Sequence, residues 1–129
     1  HIHGKDGIYA ASLLVEMIAV SGKKLSEIAE DIRKECGEIH MEERAYRFTL
    51  EEKERIQKVL MEDKGLPELP FAADHVSYLD GCKVYFQNGG WVSARFSGTE
   101  PLLRIFCEME TEHEAVQVCE IFEEYLHLR

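Results

Sequence analysis

Nearly every position from Ile8 to Val20 is apolar, with Ser12 and Glu16 as the only breaks. Asp6 stands where an N-cap belongs and Ser21-Gly22 closes the run, so the pattern predicts an Asp-capped helix. A helix apolar on nearly all sides is normally surrounded by other protein. Too few residues precede this one to supply that cover, so further chain is expected upstream of His1. Leu25, Ile28, Ala29 and Ile32 then recur at helical spacing as far as Cys36-Gly37, where glycine supplies a stop.

After Gly37 the rhythm changes. Ile39 to Phe48 alternates loosely and reads as a strand or an extended connector, which puts a domain boundary near residue 40. Thr49 with Glu52 forms a capping-box signature, and Ile56, Val59 and Leu60 give the next helix one apolar stripe ending near Gly65. Pro67 and Pro70 punctuate a loop. Val76–Leu79 and Cys82–Gln87 read as two strands joined by a two-residue hairpin at Asp80-Gly81. Asn88-Gly89-Gly90 turns the chain into Trp91–Phe96, and Leu102–Met109 follows as the last strand. Thr111 and Glu114 cap a final helix whose stripe is Ala115, Val118, Cys119, Phe122 and Leu126.

The expected fold is α+β: an antiparallel sheet of four to five strands with helices on one face, preceded by the helical end of an upstream α/β domain. Residues 1–40 are assigned to that helical end and 41–129 to the sheet domain. A length of 129 residues suits one complete domain plus a remnant.

Composition narrows the function. Lys and Arg total 15 against 25 Asp and Glu, a formal net charge of −10, which disfavours nucleic acid and anionic membranes as partners, so any anion site must be local. The longest apolar run falls short of the roughly 20 residues a membrane span requires. Cys36, Cys82, Cys107 and Cys119 are widely spaced without a Cys-x-x-Cys pair, which predicts reduced thiols and a cytoplasmic setting. His-x-His at His1 and His3 is a poor metal signal without further ligands, and His40, His75, His113 and His127 are scattered; no metal site is assigned.

The candidate chemistry lies between the last two strands. Side chains alternate across a strand, so Val92, Ala94 and Phe96 share one face with the core while Trp91, Ser93 and Arg95 share the other. In the partner strand Leu103, Ile105, Cys107 and Met109 form the core set, which puts Arg104 on the open face with Arg95. Between them Ser97-Gly98-Thr99 offers two hydroxyls around a glycine that lets backbone N–H groups approach an anion. Two guanidinium forks and such a bend suit a phosphate. Glu100 cannot bind phosphate directly; it is placed to orient an arginine or to accept a sugar hydroxyl. From spacing alone, Ser97–Pro101 reads equally well as a plain hairpin turn flanked by solvated arginines.

Arg95-Phe96-Ser97-Gly98-Thr99-Glu100-Pro101-Leu102-Leu103-Arg104 closely resembles the phosphate-binding loop in the last domain of the α-D-phosphohexomutases, the phosphoglucomutase and phosphomannomutase family. Gly90-Trp91 fits as well. His1-Ile2-His3-Gly4-Lys5-Asp6-Gly7 is similar to the segment that closes the sugar-binding region of the family's third domain. The resemblance implies an enzyme that moves a phosphoryl group between the 1 and 6 positions of a hexose, through a phosphoserine and a glucose 1,6-bisphosphate-type intermediate, with Mg2+ held by earlier domains. It also implies that Arg95, Ser97, Gly98, Thr99 and Arg104 hold the non-reacting phosphate, supported by Glu100 and His1, and that Lys5 serves as a proton-transfer or charge-stabilising group. The family's serine loop and metal loop have no counterpart here, so this chain alone is expected to be inactive and to need the upstream domains as partners. Relatives often carry proline where Phe96 stands. A phosphoglucosamine mutase, or a non-catalytic anion-binding or interaction module, is the alternative reading.

Overall fold

The computed structural model describes residues 4–128, so His1 and His3 lie outside the described residues. The chain divides into two compact units, His1–Glu38 and Ile39–Arg129.

The first unit is a pair of helices, α1 (Gly7–Ser21) and α2 (Leu25–Cys36). The Asp6 carboxylate accepts from the Tyr9 N–H at 2.8 Å, meeting one of the orphan donors at the start of α1. Gly22 ends it in the left-handed region, φ 67°, and donates to the Ile18 carbonyl at 3.0 Å. Ile8, Val15 and Val20 of α1 are largely exposed. In α2, Ile28 is buried. Lys23 and Asp31 pair at 2.5 Å, and their bond raises the pKa of the lysine and lowers that of the aspartate.

The second unit is a five-stranded antiparallel sheet with helices over one face. Its strands are β1 (His40–Arg47), β2 (Ala73–Ser77), β3 (Cys82–Phe86), β4 (Trp91–Phe96) and β5 (Leu102–Met109), in the order β1-β5-β4-β3-β2. Between β1 and β2 runs α3 (Leu50–Gln57), which continues as a π-helical turn over Lys58–Glu62. After β5 comes α4 (Glu112–Tyr125). Both capping boxes form: the Glu52 carboxylate accepts from the Thr49 N–H at 2.6 Å, and Glu114 from the Thr111 N–H at 3.1 Å. The core is built from Ile56 and Leu60, the α4 stripe, and the inward rows Val84, Val92, Ala94, Leu103, Ile105 and Cys107. Among the described residues no helix is long and apolar enough to cross a membrane.

The connection after β2 differs from the expected two-residue hairpin. β2 stops at Ser77, which pairs with Lys83, so four residues, Tyr78–Gly81, join the strands. Tyr78 is half-buried against the core, and that packing lifts it out of the ladder; Leu79 points to solvent. Gly81, at φ 88°, takes the left-handed position that closes the turn.

The four cysteines are free, with Cys36 exposed and the other three buried. Burial pushes the Cys82 thiol up to about 11. Cys107 and Cys119 hydrogen-bond each other, which raises the pKa of Cys107 and lowers that of Cys119. Because the thiolate is the nucleophile, iodoacetamide should add a single adduct, on Cys36, under native conditions, and Cys82 should stay unmodified even at pH 9. Peptide mass spectrometry checks this; labelling of all four cysteines before unfolding would contradict the buried core.

Candidate functional site

Antiparallel pairing sets Arg95 directly opposite Arg104, with Phe96 opposite Leu103 on the core side. The two arginines therefore stand side by side on the open face, at the strand ends that flank Ser97–Pro101. Their side chains are 54% and 40% exposed, so both guanidinium groups reach solvent. Like charges directly opposite destabilise a sheet, and each arginine here is met by a carboxylate. Arg95 Nε lies 3.1 Å from Asp80 Oδ1 and 3.0 Å from Oδ2, across from the β2–β3 turn. Arg104 has looser partners: Nη1 is 3.6 Å from Glu43 of β1, and Nη2 is 3.5 Å from Glu100. Its Nε is buried without a partner, an uncommon state for a buried donor.

The loop is closed at its base and open at its tip. The Ser97 N–H donates to the Leu102 carbonyl at 2.8 Å, and the Leu102 N–H to the Glu100 carbonyl at 2.8 Å. The Thr99 N–H makes only a 3.5 Å contact with the Ser97 hydroxyl. Among the described residues the Gly98 and Glu100 N–H groups have no partner. The donor set offered to an anion is thus the amides of 98 to 100 and the Ser97 and Thr99 hydroxyls, with the Ser97 amide already committed. A Cβ at Gly98 would meet nothing within 4 Å, and its φ lies outside the left-handed region, so the protein's own packing does not demand glycine there.

Phe96 anchors the entry to the loop. Its ring meets Phe48 edge to face, with centroids 5.3 Å apart, and Lys53 lies 5.8 Å from its centroid. The Phe48 N–H adds a 3.4 Å bond to the Pro101 carbonyl on the far side of the loop.

Arg95, Ser97, Gly98, Thr99, Glu100 and Arg104 thus lie on one hairpin, β4–loop–β5, with Arg95 paired to Asp80 on the β3 side and Arg104 to Glu43 of β1 and to Glu100. Lys5 is exposed in the first unit, just before the α1 cap. His1 falls outside the described residues. Among the described residues no three His, Cys, Asp or Glu side chains gather to hold a metal ion. Two ion-pair partners of the arginines carry no local sequence signal: Asp80, whose place before Gly81 marks only a turn, and Glu43, whose strand pairs with β5 over a long sequence separation. The register of β3 against β4 is the signal that places the Asp80 turn beside Arg95, since Cys82 pairs with Ala94.

Comparison with known proteins bears on this geometry. Residues 39–124 match the family described as Phosphoglucomutase/phosphomannomutase, C-terminal domain, and residues 1–36 match Phosphoglucomutase/phosphomannomutase, alpha/beta/alpha domain III. The chain is 33% identical over 126 residues to a Phosphoglucomutase/phosphomannomutase of Thermococcus kodakarensis, covering 92% of this chain and 24% of that protein. It is 32% identical over 119 residues to a probable phosphoglucosamine mutase of Methanopyrus kandleri, covering 91% and 24%. A probable phosphoglucosamine mutase of Methanocella arvoryzae is 33% identical over 110 residues, covering 85% and 23%. The chain spans about a quarter of the length of the curated relatives it matches.

Proposed function

The chain belongs to the phosphoglucomutase/phosphomannomutase family, and on that premise we propose that its Arg95–Arg104 loop grips the non-reacting phosphate of a hexose phosphate. The family is one of mutases, which are isomerases. The observation that carries the proposal is the direct cross-strand pairing of Arg95 with Arg104 around a loop tip whose Gly98 and Glu100 amides are unengaged. Guanidinium groups and backbone N–H donors together can satisfy three phosphate oxygens, and charge-assisted bonds of this kind are the strong ones. Holding one phosphate of the sugar leaves its other end to the reacting groups, so the loop contributes by positioning.

In the whole protein the reaction would be the interconversion of hexose 1-phosphate and 6-phosphate in the cytoplasm, the upstream domains supplying the phosphoserine, with Lys5 and His1 on the sugar side. Mg2+ would be held by the upstream domains of the whole protein. The relatives named phosphoglucosamine mutase favour glucosamine phosphate as the second candidate substrate. The loop itself holds the phosphate shared by either sugar.

Titrating glucose 1-phosphate into the isotope-labelled chain tests the reading. Amide signals of Gly98, Thr99 and Glu100 should move at millimolar ligand, because one loop supplies few contacts against the cost of association. Glucosamine 1-phosphate should move the same signals. Amides that stay fixed with both ligands at millimolar concentration would refute a preformed clamp.

A further inference from the structure

We infer that Asp80, in the turn between β2 and β3, is a positioning residue that aims the guanidinium of Arg95 at the phosphate, an inference that rests on the phosphate reading above. Three observations support it. First, both Asp80 carboxylate oxygens lie within 3.1 Å of Arg95 Nε, and Asp80 is the only side-chain partner of Arg95 among the described residues. Engaging Nε leaves the two terminal nitrogens as an end-on fork, the edge that matches a pair of phosphate oxygens.

Second, the turn that carries Asp80 is seated hard against β4. A Cβ placed on Gly81 would stand 2.5 Å from the Ala94 carbonyl oxygen and 3.1 Å from the Arg95 Cα and Cβ. Backbone therefore lies on backbone at this point, and the Asp80 carboxylate is delivered to Arg95 by packing rather than by a free side chain searching for a partner.

Third, the two arginines are held differently. The contacts of Arg104 with Glu43 and Glu100, at 3.6 and 3.5 Å, are longer than the 3.0 and 3.1 Å between Arg95 Nε and the Asp80 oxygens. Arg104 is only loosely held, whereas Arg95 is held at one nitrogen in a fixed direction. Asp80 lies on the β3 side of β4 and Arg104 on the β5 side, so the Asp80 bond acts in the same direction as the like charge of Arg104 and fixes which way the Arg95 guanidinium turns.

An anion beside a phosphate site would by simple Coulomb repulsion weaken binding, so the test compares variants of equal charge. Asp80→Asn keeps an oxygen acceptor for Arg95 Nε, and Asp80→Ala removes it. Titrated with glucose 1-phosphate and read at the Gly98–Glu100 amides, Asp80→Ala should bind about fivefold more weakly than Asp80→Asn, a loss in keeping with an exposed charged hydrogen bond. Equal affinities for the two variants, alongside a normal wild-type response, would overturn the role of Asp80 and leave the clamp standing. No response in the wild-type chain would instead sink the phosphate reading itself. A second measurement needs no variant: the Arg95 Nε–H should exchange with solvent more slowly than that of Arg47, which has no ion pair among the described residues, and equal exchange would also overturn the inference.

Discussion

Arg95→Ala should abolish the response of the loop amides to glucose 1-phosphate while leaving the melting temperature of the chain almost unchanged. The binding loss follows from the bonds removed. Hydrogen bonds to charged groups contribute about 1.5–3 kcal/mol each, so deleting one guanidinium weakens a phosphate complex by roughly 10- to 100-fold. Starting from millimolar affinity, that moves binding beyond measurement. The stability effect is small because two opposed consequences meet. Removing Arg95 ends the like-charge contact with Arg104 across the ladder, which is a gain, and breaks the exposed Asp80 pair, which is a minor loss. The net change should stay within about 0.5 kcal/mol, the usual range for surface substitutions. Arg47→Ala, on the same face of the sheet but on β1, with β5 between it and β4, serves as the control and should leave the titration intact. A persistent loop response in Arg95→Ala would show that the amides alone hold the ligand.

Such a separation of function from stability reflects where the two are written in the chain. The core was legible because its signals are local. The α4 stripe of Ala115, Val118, Cys119, Phe122 and Leu126 is buried throughout, and β5 buries alternate residues along its whole length. Alternation also sufficed to put Arg95 and Arg104 on one face. β1 was ambiguous for a physical reason: its helix-facing positions are His40, Glu42, Arg44 and Tyr46, while Met41 and Ala45 face out, so apolar residues do not mark the inner side. Arg44 is tolerated inside because Glu42 holds its Nε at 2.9 Å and Glu123 its Nη1 at 2.6 Å, a bridge to α4 that keeps it firmly charged.

What the sequence hid was set by register between distant segments. The pairing of β1 with β5 brings Glu43 near Arg104, and the seating of the Tyr78–Gly81 connection on β4 brings Asp80 to Arg95. Neither follows from a local pattern, and the Asp80-Gly81 pair itself suggested a shorter hairpin than the one formed. The commitment of the Ser97 amide to Leu102 is likewise a pairing effect, which trims the donors expected of the loop.

Gly81→Ala should be the most destabilising single-methyl change in the second unit, and it should disturb the site as well as the fold. Two penalties coincide at this position. At φ 88° an L side chain is strained, a cost of about 1–3 kcal/mol. The added Cβ would also press on the Ala94 carbonyl oxygen at 2.5 Å, and backbone in a paired strand cannot give way as a flexible side chain does. Overpacking of this sort adds roughly 1–3 kcal/mol more, so a total loss of about 2–6 kcal/mol is expected by denaturant or thermal unfolding. Gly89→Ala separates the two penalties. Gly89 has the same backbone hand, φ 91°, with open space around it, so its alanine variant should show the strain alone and lose distinctly less. Relief of the clash requires the turn to lift from β4, which carries Asp80 away from Arg95. The surviving folded Gly81→Ala protein should therefore show fast solvent exchange at the Arg95 Nε–H, a change Gly89→Ala should not produce. Equal stability losses in the two variants, with Arg95 unaffected in both, would mean that the turn is not seated on β4 and that Asp80 reaches Arg95 by chance.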